Sequence, residues 1–138
     1  MAVFVYKSAS VTIGTGPADL SAFVISCTLT RGVDTPESTA MGSTTHTHMA
    51  GGLRTEALEI TFFQDHDASS VDDELESAIG TAAEIVLMPT GSEDDDNPQY
   101  TASWLVQEYD PASGTVGDRA TTTARFVPTT AVARVKTT

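Results

Sequence analysis

Cysteine is all but missing from this chain. Cys27 stands alone, so no internal disulfide can form. Its place in an alternating apolar stretch marks it as a buried, inert thiol in a protein made in a reducing cytoplasm. Bases are scarce as well: seven Lys and Arg stand against nineteen Asp and Glu, a formal net charge of −12. That balance disfavours a nucleic-acid-binding role, because holding a polyphosphate requires Lys and Arg to displace its counterions. No apolar run approaches the ~20 residues a membrane helix needs, so no membrane partner is expected. Met1 to Ser8 reads as a short strand and lacks the charged and then apolar pattern of a secretory leader. Catalytic signatures are lacking too. There is no Gly-x-Ser-x-Gly, no phosphate-cradling Gly-rich loop before a helix, and no Cys/His arrangement. Paired acids are plentiful, but a glycosidase also needs a cleft, and 138 residues leave little room for one beside a core. A non-enzymatic protein without a cofactor is expected.

What the chain does have points to one mainly β domain spanning residues 1–138. Hydrophobic residues make up 40%, so the core should be thin and much strand surface exposed. Polar and apolar residues alternate at period two through much of the length, as in half-buried strands. Val3 to Tyr6 and Val11 to Ile13 are short candidates. Phe23, Ile25, Cys27 and Leu29 fall on one face of a longer strand, with Ser26, Thr28 and Thr30 on the other. Leu58, Ile60 and Phe62 repeat the pattern within Arg54 to Phe63. Ile85 to Met88 is a short apolar run that Pro89 ends, as a buried strand would be. Tyr100, Ala102, Trp104 and Val106 oppose Thr101, Ser103 and Gln107, and Thr121 to Val127 and Ala131 to Lys136 close the sheet.

A single helix is predicted over 70–79. Ser69 and Ser70 offer an N-cap, and Asp72, Asp73 and Glu74 put negative charge at the positive end of the helix dipole. Val71, Leu75, Ala78 and Ile79 form one apolar stripe, and Gly80 supplies the stop.

Two connections carry the candidate sites. The loop over 33–52 has no convincing period and is rich in Thr, Ser, Gly and His. A structureless stretch that long inside a small domain is usually functional, so Met41, His46, His48, Met49, Gly51 and Gly52 are read as an assembly loop. His46 and His48 do not make a metal site, even with Asp65, His66 and Asp67 nearby in sequence, since zinc wants four ligands at recognisable spacing. The second connection, Thr90 to Pro98, holds Glu93-Asp94-Asp95-Asp96-Asn97. It lacks the glycine and terminal glutamate of an EF-hand loop and reads as a solvated hairpin tip.

Charge is also unevenly spread. From Thr55 to Asp118 there are sixteen Asp and Glu and no Lys or Arg, and from Arg119 onward four Lys and Arg and no acid. Two readings stay open. The acidity keeps the protein soluble, or opposite-sign surfaces meet between copies and steer assembly. On the second reading Glu56, Glu59, Asp94, Asp95 and Asp96 are candidate lumen or inter-subunit acids.

The succession of these pieces resembles the tail-tube (major tail) proteins of long, flexible-tailed bacteriophages, the siphophages, especially those of actinobacteria. Asp19-Leu-Ser leads into the strand ending Thr28-Leu-Thr-Arg31, and Gly51-Gly-Leu-Arg54 into the strand ending Ile60-Thr-Phe-Phe-Gln-Asp65. The helix follows, then Glu84-Ile-Val-Leu-Met-Pro89. Asn97-Pro-Gln-Tyr100 opens the strand that runs to Glu108-Tyr-Asp-Pro111, and Gly114-Thr-Val-Gly-Asp118 precedes the last strands. Each piece alone is weak; the order is specific. The resemblance implies a β-sandwich or half-barrel with one flanking helix. It implies self-assembly into hexameric rings stacked as a tube, with a tape-measure protein and a tail terminator as partners. Such a tube resides in the virion and serves genome ejection, and DNA passes through it without specific binding. The alternatives are another phage structural part (tail terminator, tail-completion or capsid decoration protein) or a cell-surface β-sandwich binding module. The last would need a leader or anchor.

Overall fold

The computed structural model describes residues 10–14, 18–68, 70–89 and 98–136. The elements in chain order are β1 (Ser10–Ile13), β2 (Ala18–Asp19), a 3-10 turn (Ser21–Phe23), β3 (Val24–Val33), β4 (Arg54–Phe63), α1 (Val71–Ala78), β5 (Ala83–Met88), β6 (Gln99–Tyr109), β7 (Thr121–Pro128) and β8 (Ala133–Val135). The strands form one antiparallel sheet in the order β2-β1-β5-β6-β7-β4-β3. β8 takes up the edge of β6 beyond the point where β7 ends, pairing Gln99, Tyr100 and Thr101. Between them, the amide of Ser103 donates to Thr130 Oγ1 at 3.0 Å and that of Thr129 to the Ser103 carbonyl at 2.8 Å. Those bonds keep the edge satisfied across the break.

The sheet curls into a half-barrel because one face of each strand is apolar and has only the opposite end of the same sheet to bury against. Leu58, Ile60 and Phe62 of β4 enter the core with Ile85 and Leu87 of β5, Trp104 of β6 and Phe126 of β7. Leu29 and Leu58 line a remnant of space shared with Tyr100 and Trp104, so the two ends of the sheet meet across the core. Burying side chains of this size contributes about 1.5–3 kcal/mol each. Helix α1 flanks the sheet and lays Val71, Leu75 and Ala78 into the same core. The mainly β half-barrel with one short helix is the architecture expected from the sequence.

Several local expectations need correction. Ile25 does not share the inner face of β3. The register slips between Val24 and Ser26, so Ile25 is the extra residue of a bulge and nearly half exposed. Phe23 belongs to the preceding turn, and the inner face is Val24, Cys27 and Leu29. Ile79, assigned to the helix stripe, is the C-cap and points outward, with a lone bridge to Val106. The stop at Gly80 is as expected, in the left-handed region at φ +77°. Ser70 does occupy the N-cap, yet its hydroxyl donates to Asp65 Oδ2 at 2.7 Å instead of capping the helix. Val3 to Tyr6, Ser69 and the acidic run Glu93 to Asn97 lie outside the described residues.

Candidate assembly surfaces

The connection from β3 to β4 is an arm with internal structure. Its two legs extend the hairpin: the Asp34 amide donates to the Leu53 carbonyl at 2.7 Å, and the Met49 amide to the Pro36 carbonyl at 2.7 Å. Further out, Glu37 bridges His48, and the Ser38 amide donates to the Thr47 carbonyl at 2.8 Å. The legs touch closely at the base, where a Cβ on Gly52 would fall 1.9 Å from the carbonyl oxygen of Asp34. Sequence periodicity missed this pairing because the legs have no buried face to impose alternation.

Of the sequence-derived loop residues, Met41, His46, His48, Met49 and Gly51 are all exposed, and only Gly52 is half-buried. Met41 is fully exposed, and Met49 and Leu53 also present apolar surface on the legs. His46 Nδ1 lies 2.7 Å from Glu37 Oε1, a contact that holds the Glu37 carboxyl below its usual range. No group of three or more His, Cys, Asp or Glu able to hold a metal gathers among the described residues.

The acids separate into two kinds. Glu56 is inside the fold at 8% exposure, accepting from Arg31 Nε at 3.1 Å and from the Val132 amide at 3.1 Å. Arg31 also reaches the Val132 carbonyl and lies 6.0 Å from the Tyr100 ring centroid, so this pair ties the arm's root to the C-terminal strand. Glu59 faces outward and half-exposed. It accepts from Arg125 Nε at 3.1 Å, and Glu108 accepts from Arg125 Nη1 at 3.0 Å. Those two carboxylates, Glu59 first, hold the guanidinium's pKa above its ordinary value. Bases from the C-terminal quarter are thus partly consumed within the subunit. Asp94, Asp95 and Asp96 lie outside the described residues.

Two further features have assembly geometry. β3 pairs with β4 on one side and with no described strand on the other. Beside that edge runs a groove of about 370 Å³ lined by Cys27, Leu29, Arg31, Leu87, Pro89 and Tyr100. The outer face of β3, β4, β7 and β6 is shallow and Thr-rich, with a recess of about 240 Å³ lined by Thr28, Thr30, Ala57, Gln107, Arg125 and Val127 among others.

A half-barrel with one helix, a long exposed hairpin arm and an open strand edge invites comparison with subunits of assemblies. No family model and no curated protein matches the chain. Solved structures do. A chain in the virion of a native gene transfer agent particle superposes with a TM-score of 0.77 at 14% identity, over 96% of this chain and 99% of that one. A chain of the anti-feeding prophage baseplate, six-fold symmetrised, gives 0.70 at 13% identity over 99% and 97%. The SPP1 tail tube gives 0.72 at 14% identity over 94% and 77%.

The chain has a tail-tube fold.

At these identities the tail-tube likeness concerns the backbone architecture alone, and it covers 94–99% of this chain. The sequence could have flagged the Arg31–Glu56 pair only through the coincidence of an acid in the inward phase of β4. It could not have flagged the Glu59–Arg125–Glu108 row, which depends on strand pairing.

Proposed function

We propose that this protein is a structural subunit of a phage or phage-like tail, assembling with its own copies into rings that stack as a tube. The observation that carries the reading is the fold shared, over nearly the full chain, with chains from such particles, one of them six-fold symmetrised. A ring of six suits an open half-barrel, since closing a ring removes the free edge of β3 that a lone subunit leaves exposed. The arm then contacts the next ring, its exposed Met41 and Met49 entering adaptable pockets and its backbone adding to a strand edge. The subunit's role is mechanical and not catalytic. A tape-measure protein inside the tube and a terminator at its end are the partners this role requires, and the tube resides in the virion as a conduit for DNA.

Negative-stain microscopy of purified protein at high concentration tests the reading, with sedimentation in parallel. Stacked rings are expected; monomer alone across salt conditions overturns it. The match to a baseplate chain favours a second reading, a tail component that forms a single closed ring. Discrete rings that never stack select that alternative.

A further inference from the structure

The described chain begins beside the groove that borders the open edge of β3. Ser10, at the start of β1, stands opposite Met88, and the residues on either side of Met88, Leu87 and Pro89, line that groove. Cys27 and Leu29 of β3 and Tyr100 of β6 line it as well. These three pack against the core and yet remain only partly buried, so the corner has room for one more strand. No described strand pairs with β3 on this side. A bare edge of that length is a template for unwanted pairing, and folded proteins ordinarily cover it.

We propose that Val3-Phe4-Val5-Tyr6 of the same chain adds to the β3 edge in the unassembled subunit and lays apolar side chains into the groove. All four residue types favour strands. Lys7, Ser8 and Ala9 join them to Ser10 and span about 10 Å when extended, and the groove they must cross touches both Pro89 and Cys27. The other stretch leaving this corner, Thr90 to Asn97, is acidic and carries no apolar side chain, so it cannot fill an apolar groove. A short tether holds the chain's own segment at an effective concentration in the millimolar range, which favours it over the same segment of another copy. One consequence rests on the tail reading. A ring that closes through the β3 edge must first displace this segment, so the segment restrains assembly until a neighbouring subunit takes its place.

Cys27, the one thiol of the chain, serves as reporter in the full-length protein kept dilute enough to be monomeric. The double variant Phe4→Asp, Val5→Asp should expel the segment and speed alkylation of Cys27 by N-ethylmaleimide about tenfold, as loss of a protecting contact does. An unchanged rate overturns the proposal. A second measurement does not depend on how that variant folds. Val3→Cys, Phe4→Cys, Val5→Cys and Tyr6→Cys, made one at a time and oxidised, should give an intramolecular disulfide to Cys27 at one or more positions. Disulfide-linked dimers in its place, or no bond at any position, overturn occupancy by the chain's own segment. The locked protein should form no rings until a reductant is added; rings from the locked protein overturn the restraint. Wild-type protein that never forms rings overturns the tail reading and the restraint with it, while alkylation and cross-linking still decide where the segment lies.

Discussion

The hydroxyl of Tyr109, at the end of β6, donates to Oδ1 of Asp72 in the first turn of α1 at 2.6 Å. The helix touches the sheet chiefly along β6, so this bond fastens its N-terminal end. Gln64 Nε2 donates to the same Tyr109 oxygen at 3.0 Å and to the Pro111 carbonyl at 2.8 Å, joining the end of β4 to the loop after β6. Burial, and then the bond to Asp72, push the Tyr109 phenol up to about 12. Asp72 is held below the usual carboxylate range by Tyr109, with His66 adding to it, and Asp65 by the Asp67 amide and the Ser70 hydroxyl.

Those shifts set a pH window. A carboxylate whose folded pKa is depressed contributes stability above its unfolded value, and that contribution is lost as pH falls through the folded pKa. Docking of α1 should therefore weaken below about pH 4, where carboxylates ordinarily titrate. A phenol with a raised pKa gives the opposite sign: its contribution is full below its ordinary value near 10 and is lost as pH climbs toward 12. Tyrosinate absorbance should show a late-ionising phenol that Tyr109→Phe removes. Asp72→Asn should flatten the acid limb of a thermal-melt series. A wild-type titration with no late phenol would count against the docking bond.

Trp104 is 3% exposed within the core cluster. Trp104→Ala should cost about 3–5 kcal/mol in denaturant unfolding, as large-to-small core changes do. Native emission should be blue-shifted. Water-like emission would place the ring on the wrong face of β6.

Glu56 is buried with both oxygens engaged, so Glu56→Ala takes the acceptor from the Val132 amide and the carboxylate from Arg31 together. A loss of about 3 kcal/mol is expected, since removing one partner of a buried pair leaves uncompensated polar groups. The signature is local as well: amide exchange should accelerate at Val132 and in β8 before it does in β4. Uniform acceleration would deny the C-terminal strand its dependence on this carboxylate.

The arm can be removed without touching the core. Replacing Ser38 to Ala50 by a short Gly-Ser bridge should leave the thermal midpoint nearly unchanged, because these residues are exposed or only partly buried. Rings should survive and long tubes should not. Gly52→Ala is the subtler probe: its Cβ cannot coexist with the Asp34 carbonyl, so the arm's base must shift while the half-barrel stays folded. Normal tubes from the excised protein would end the arm's role in stacking.

Where a strand buries one face, its residues announced it. Leu58, Ile60 and Phe62, or Ala102 and Trp104, alternate in sequence because the core accepts every second side chain. The helix was legible for the same reason, through Val71, Leu75 and Ala78 and the glycine that ends it. The bulges at Ile25 and Gln107 were not, because period two continues in sequence straight through a residue that the ladder skips. Each slip exchanges the faces of what flanks it. One exposes Ile25; the other turns Tyr109 toward Asp72 and Glu108 toward Arg125. The sequence by itself determined a mainly β fold, its core strands, the helix at Val71–Ala78 and its acidity, since all four follow from composition and local period. Only the tertiary structure decided which acids are consumed inside the fold and which line an outer face, because that depends on register between strands far apart in the chain. Local propensity carries no information about such pairings; they are fixed when the curled sheet closes over its core.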